Sequence, residues 1–345
     1  MAILKEAFRR GTTVLSSRVF NRNLLAFSRS LWVALLIPTL VSPALGASRP
    51  RAALPVDRAL QFEALPLERS GQNHLLLRAF INGKPALLGV DTGAPISIIS
   101  IKRLGYFGMT PAPDHADIPT RLSVNGRYNG VAIARSLRLG ALNLIDEPMV
   151  AVDLDGSSKA ARLMHEQAID GIIGADILFP THAVLDCRAQ ILILKMDPRV
   201  RGAAPGLDFS GFSKVPIQVS AGANLYVDGR LNGKRAKLWV DTGSFATLLH
   251  QRFVRRMKIP LTDTPYTSVG VNLKERGVQL ATISRFSVGS LHLRNKQVGV
   301  VDLQGLVRDG LLDSSPPVAG LLGSEMLRRH NGIIDFGTKT LYLKR

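Results

Sequence analysis

At 345 residues and 46% hydrophobic content the chain is long enough for two packed cores. Its single cysteine, Cys187, excludes an intrachain disulfide, and its seven scattered histidines give no metal-ligand spacing. The formal charge of +18 could steer the protein to anionic surfaces or serve only as a solubilising surface; the scattered arginines and few aromatics match no nucleic-acid-binding motif.

Residues 1–47 read as a targeting segment. Six Lys/Arg (Lys5, Arg9, Arg10, Arg18, Arg22, Arg29) against one acid, Glu6, precede the apolar run Leu31–Ile37 and the small-residue end Ala44-Leu45-Gly46-Ala47. That order makes a signal peptide or a signal anchor, with cleavage after Gly46 or Ala47. The apolar stretch 31–47 is near the lower length limit for a membrane span, so it offers a membrane tether. The expected location is secreted or periplasmic, with a mitochondrial presequence as the minor alternative. Residues 48–61 read as a linker or propeptide.

A first lobe is expected over 62–195. Leu65-Pro66-Leu67 and His74–Phe80 read as strands, and Asn82-Gly83 as the turn of a tight hairpin. The next apolar run, Leu87-Leu88-Gly89-Val90, stops at Asp91-Thr92-Gly93-Ala94, as a buried strand ends in a tight loop. Ile96–Ile101 resumes as strand before a short helix near Lys102-Arg103-Leu104. Leu122–Val131 reads as a hairpin with a Gly-rich tip that holds Tyr128. Cys187 falls in Ala183–Leu194, which reads as one apolar strand, and is expected to be a buried, inert thiol. The Pro- and Gly-containing segment 196–212 is an interlobe linker, and a second lobe is expected over 213–345. There Gln251–Lys258 reads as helix, Thr267–Leu280 as the counterpart of the hairpin, and Val307–Pro317 as a loop.

The second half copies the first. Ile81-Asn82-Gly83-Lys84 matches Leu231-Asn232-Gly233-Lys234, and Asp91-Thr92-Gly93 matches Asp241-Thr242-Gly243. Leu139-Gly140 then matches Val288-Gly289, Gly171-Ile172-Ile173-Gly174 matches Gly320-Leu321-Leu322-Gly323, and Val184-Leu185-Asp186 matches Ile333-Ile334-Asp335. Asp153, Asp186, Asp302 and Asp335 also repeat, in contexts that suit structural roles.

Asp-Thr-Gly-Ala/Ser after an apolar strand, followed by a hydrophobic pair and Gly, resembles the aspartic peptidases. The Asn-Gly-Lys hairpin and the terminal Leu-Asp strand pair resemble the retropepsin-like lobe within the retropepsin and pepsin superfamily, here in a fused two-lobe form. The resemblance covers roughly 62–195 and 213–345. It implies a mostly β fold of two pseudo-symmetric barrel lobes with short helices and a site between them. It also implies that Thr92 and Thr242 bridge the opposing loops, that the Gly174 and Gly323 segments pack behind them, and that Tyr128 is a candidate flap residue.

Placed back to back, the loops bring Asp91 to Asp241. Two carboxylates within about 3 Å cannot both ionise comfortably, so the pair holds one proton and can activate water. Gly93 and Gly243 permit the close backbone approach. Ser244 carries a hydroxyl where Ala94 has none. A hydrogen bond from it would favour the charged form of Asp241 and make Asp241 the ionised partner. The expected activity is peptide-bond hydrolysis without metal or cofactor, on a peptide or protein substrate, by a protein able to work as a monomer. The alternative is a non-catalytic peptide-binding or scaffold protein on the same fold.

Overall fold

The two Asn-Gly turns show how the halves begin alike. Asn82 and Gly83 have φ of 50° and 78°, and Asn232 and Gly233 have 49° and 84°. Two successive left-handed residues make the turn whose twist suits its flanking strands, and Asn and Gly adopt that conformation at least cost. The computed structural model describes residues 61–112, 121–124, 127–155, 158, 161–162, 165–196, 207–220, 222–270, 273–308 and 317–345. The expected targeting segment, almost all of the segment 48–61 and most of the interlobe linker lie outside these residues. Among the described residues no helix is long and apolar enough to cross a membrane.

The first half contributes twelve strands: β1 (Phe62–Pro66), β2 (Glu68–Arg69), β3 (Leu75–Ile81), β4 (Lys84–Val90), β5 (Ile98–Ser100), β6 (Thr110–Pro111), β7 (Arg121–Val124), β8 (Arg127–Leu139), β9 (Leu142–Val152), β10 (Gly171–Ile173), β11 (Val184–Asp186) and β12 (Ile191–Lys195). The second half contributes β13 (Ser213–Pro216), β14 (Gln218–Val219), β15 (Leu225–Leu231), β16 (Lys234–Asp241), β17 (Leu248–His250), β18 (Thr262–Gly270), β19 (Leu273–Val288), β20 (Leu291–Val301), β21 (Val318–Gly323), β22 (Ile333–Asp335) and β23 (Thr340–Leu343). Short helices are α1 (Leu104–Phe107), α2 (Ala175–Leu178), α3 (Gln251–Arg256), α4 (Gln304–Arg308) and α5 (Ser324–Arg329).

Strands β3-β4-β10-β5-β9-β8 follow one another, and β8 closes on β3 through Phe80↔Arg138 and Ile81↔Leu137. Strands β15-β16-β21-β17-β20-β19 repeat the path, and β19 closes on β15. Each half is therefore a closed six-stranded barrel, and the fold is mostly β as the sequence implied. A third sheet, β1-β12-β11-β22-β23-β13, takes three strands from each half. Its centre is the antiparallel pair Val184↔Asp335, Leu185↔Ile334, Asp186↔Ile333, where equivalent segments of the two halves meet.

The apolar pattern explains which strands lie deepest. On β3, Leu75, Leu77, Ala79 and Ile81 are buried while Arg78 and Phe80 are exposed, the period of a strand with one face on a core. On β4 the whole run Ala86–Val90 is buried, because that strand lies between β3 and β10 and is covered on both faces. Each Leu buried there is worth about 1.5–3 kcal/mol. This buried strand runs directly into Asp91, and its copy β16 ends at Asp241.

Several local expectations are corrected. Ile96–Ile101 is strand only over β5, because a 3-10 turn over Ile101–Arg103 runs directly into α1. Ala183–Leu194 is two strands separated by a turn. Asp186 Oδ1 caps that turn, accepting hydrogen bonds from the N–H groups of Arg188 (2.9 Å) and Ala189 (2.8 Å). Cys187 at the turn is buried, and burial pushes its thiol up to about 12, so it is an inert packing group. Val307 belongs to α4, and 309–316 lie outside the described residues.

Candidate active site

The two Asp-Thr-Gly loops face each other across the pseudo-two-fold. Thr92 N–H donates to Thr242 Oγ1 (3.0 Å), and Thr242 N–H donates to Thr92 Oγ1 (3.1 Å). Thr92 Oγ1 donates to the Val240 carbonyl and Thr242 Oγ1 to the Val90 carbonyl, each at 2.8 Å. Four buried bonds thus lock each loop to the strand that feeds the other. The threonines are 1% and 0% exposed, so every polar atom in this cluster must find its partner within the protein.

Behind each loop lies a hydrophobic-hydrophobic-Gly segment. Strand β10 runs parallel to β4 and β21 parallel to β16, with Asp241 opposite Gly323. Asp91 N–H donates to the Ile173 carbonyl (3.0 Å). Ala175 N–H donates to the Ala94 carbonyl (2.8 Å), and Ser324 N–H to the Ser244 carbonyl (2.9 Å). A Cβ on Gly174 would stand 2.7 Å from the Ala94 carbonyl oxygen, and one on Gly323 would meet the Ala246 carbonyl. Both positions need glycine because backbone packs on backbone there.

The carboxylates are aimed at each other. Gly93 N–H donates to Asp91 Oδ1 (2.8 Å), Gly243 N–H to Asp241 Oδ1 (2.9 Å), and Gly243 N–H also to Asp91 Oδ1 (3.0 Å). A Cβ on Gly93 would lie 2.5 Å from Asp241 Oδ1, and one on Gly243 would strike Asp91. Each glycine therefore makes room for the opposing carboxylate. Burial, the charge of Asp91 and a hydrogen bond with Asp91 together hold Asp241 well above the usual carboxylate range. Backbone N–H groups of Gly243 and Ser244 pull the other way and do not prevail.

That direction reverses one expectation. The Ser244 hydroxyl donates to the Ala246 carbonyl (2.9 Å), within its own turn. Only the Ser244 N–H, which any residue would supply, reaches Asp241 Oδ1, at 3.1 Å. The hydroxyl therefore gives Asp241 no hydrogen bond, and burial with the neighbouring Asp91 holds the Asp241 carboxyl up. The candidate flap hairpin exists as β7–β8, where Tyr128 pairs with Ser123; the Tyr128 side chain and the tip at 125–126 lie outside the described residues.

Three groups near the loops were not singled out from sequence. His74 immediately precedes β3, and burial lowers it from the ordinary histidine value against the opposing pulls of Asp91 and the Gly243 backbone. Ser97 holds Asp176 through its N–H (2.8 Å) and its hydroxyl (2.7 Å), and burial pushes Asp176 up to about 6. Glu147, also buried, is raised well above its usual value by burial and then by the Asp176 charge. The second lobe repeats this with other residues. Thr247 N–H and Oγ1 donate to Glu325 Oε2 (3.0 and 2.9 Å), and Lys296 stands where Glu147 would be and pairs with Glu325 Oε1. The repeat offset aligns Ser97 with Thr247, Asp176 with Glu325 and Glu147 with Lys296. Pairing those positions would have exposed a two-acid cluster in one lobe and an ion pair in the other. The repeated Asp153, Asp186, Asp302 and Asp335 each accept a nearby backbone N–H, as turn caps do. Among the described residues no group of three or more His, Cys, Asp or Glu is placed to hold a metal ion.

The family model described as aspartyl protease matches residues 77–177 and 227–326. No curated protein matches the sequence. Among solved structures, Basic 7S globulin from soybean is 11% identical with a TM-score of 0.44, over 82% of this chain and 94% of that one. The aspartic proteinase from Irpex lacteus is 14% identical with a TM-score of 0.45, over 82% of this chain and 97% of that one.

Proposed function

From the aspartyl protease family, to which this chain belongs, we propose that it is an aspartic endopeptidase in which Asp91 and Asp241 share one proton and activate water against a peptide bond. The observation that carries the reading is the mutual aim of the two carboxylates, with burial and the Asp91 charge holding Asp241 above the usual carboxylate range. The charged Asp91 takes a proton from water lodged between the pair, and the water oxygen adds to the amide carbonyl. Asp241 gives its proton to the carbonyl oxygen as negative charge develops there. Collapse of the tetrahedral species breaks the C–N bond as Asp91 passes the proton it gained to the amine nitrogen and Asp241 takes a proton back from one hydroxyl, which leaves the carboxylic acid and restores the pair. The Thr92–Thr242 cluster fixes the carboxylate separation, so the geometry is prepaid before substrate arrives.

The substrate is an extended peptide pairing with strand edges beside the loops. The apolar segment 31–47 would deliver the lobes beyond a membrane or tether them to it. A peptide whose scissile amide is replaced by a secondary alcohol mimics the tetrahedral species. It should bind at least about 100-fold tighter than the same peptide with a methylene there. Equal affinities would contradict the reading.

A further inference from the structure

Beside the second catalytic loop lies a cavity of about 520 Å³, formed by both lobes. Asn73 of the first lobe and Phe245 of the second meet on its wall, where Asn73 Nδ2 donates to the Phe245 carbonyl at 3.5 Å. Its other walls carry Arg188 from the turn after β11, and Arg328 and Arg329 from α5. Among the described residues none of these three guanidinium groups has a side-chain acceptor. The one lining carboxylate, Glu325, is already engaged by Thr247 and Lys296. Arg69 donates to the Asn73 carbonyl (3.0 Å) and Oδ1 (2.9 Å) and feels the charge of Arg328, so cations of both lobes come together beside the cavity. Phe245 is 58% exposed, an aromatic face left open among cations.

The cavity is tied to the dyad by chain length. Phe245 is four residues beyond Asp241, so its Cα lies within about 14 Å of the Asp241 Cα. Asn73 adjoins His74, which feels both Asp91 and the Gly243 backbone. An extended peptide advances about 3.3 Å per residue, so a side chain no more than about four residues from the scissile bond reaches the cavity.

We infer that this cavity is a specificity subsite that takes an acidic side chain of the peptide substrate, its carboxylate held by Arg188, Arg328 and Arg329 and its stem laid against Phe245. The inference rests on the peptidase reading above and adds a substrate class to it: peptides with Asp or Glu at a fixed distance on one side of the cleaved bond. Arginine suits the task because its planar fork matches a carboxylate.

The test uses the full-length chain carrying Asp91→Asn, so that peptides bind without turnover. Two pairs of dye-labelled octapeptides share an apolar centre and an amidated C-terminus, which leaves the side chain as the only carboxylate source. One pair has Glu or Gln at the first position, the other at the last. Fluorescence anisotropy should show Glu binding about five- to tenfold tighter than Gln in one pair only, with the advantage shrinking between low and high salt. In the same protein with Arg328→Gln and Arg329→Gln the Glu advantage should collapse. Equal binding of Glu and Gln in both pairs, or an advantage that survives the arginine changes, overturns the subsite while leaving a peptide-binding cleft intact. Absence of binding by all four peptides overturns both the subsite and the peptidase reading.

Discussion

Thr92→Val is the sharpest perturbation of the lobe junction. Valine keeps the shape of threonine and removes only the hydroxyl, so the change creates no large cavity. It deletes two bonds, Thr92 Oγ1 to the Val240 carbonyl and Thr242 N–H to Thr92 Oγ1, and leaves a buried N–H and a buried carbonyl without those partners. Each such group costs about 1–3 kcal/mol, so the variant should lose about 2–6 kcal/mol. Thr242→Val deletes the two symmetry-related bonds, which have distances of 3.0 and 2.8 Å against 3.1 and 2.8 Å. The two variants should therefore agree within about 0.5 kcal/mol, near the reproducibility of such differences. Thr92→Ser keeps the hydroxyl and should lose less than about 1 kcal/mol. Urea unfolding followed by fluorescence reads this well, because Trp239 is buried two residues before Asp241. A loss below about 0.5 kcal/mol for Thr92→Val, or an equal loss for Thr92→Ser, would refute the assignment of these bonds as the clamp.

Three further outcomes follow from the same geometry. Asp176, pushed up to about 6 by burial, binds its proton more tightly folded than unfolded. Its contribution to stability is complete below about pH 4 and is lost as pH rises through about 6, a change of about 3 kcal/mol. The stability difference between Asp176→Asn and the parent should move in favour of the variant across that window, measured by urea midpoints from pH 3.5 to 7.5; a flat difference would count against the buried acid. Gly93→Ala should abolish hydrolysis, since its Cβ falls 2.5 Å from Asp241 Oδ1; retention of more than a tenth of the parent kcat would show that the loops are further apart than described. Ser244→Ala should leave the acidic limb of the pH–rate profile in place, because its hydroxyl serves Ala246 and its N–H survives the change; a shifted limb would restore the hydroxyl to the dyad.

The residues that the backbone alone delivers were legible in the sequence. An apolar run that stops at Asp-Thr-Gly, twice at one offset, puts Asp91 and Asp241 at equivalent strand ends. The glycines behind them follow from the same register. What sequence could not supply was the choice among near neighbours. Ser244 stands close enough to Asp241 to suggest a hydroxyl bond, yet the local turn offers it the Ala246 carbonyl instead. Burial raises Asp241, and burial depends on how two lobes dock. His74 is likewise placed by docking, since its partner Gly243 comes from the other lobe. The contrast between Glu147 with Asp176 and Lys296 with Glu325 was readable once the repeat was aligned residue by residue.

The most direct test of the account is peptide-library cleavage between about pH 3 and 7 by the full-length chain, alongside Asp91→Asn and Asp241→Asn. Cleavage by the parent with a loss of at least about 1,000-fold in kcat/KM in each variant is the predicted result, because neither half of a shared-proton pair works alone. Activity that survives either substitution would contradict the dyad.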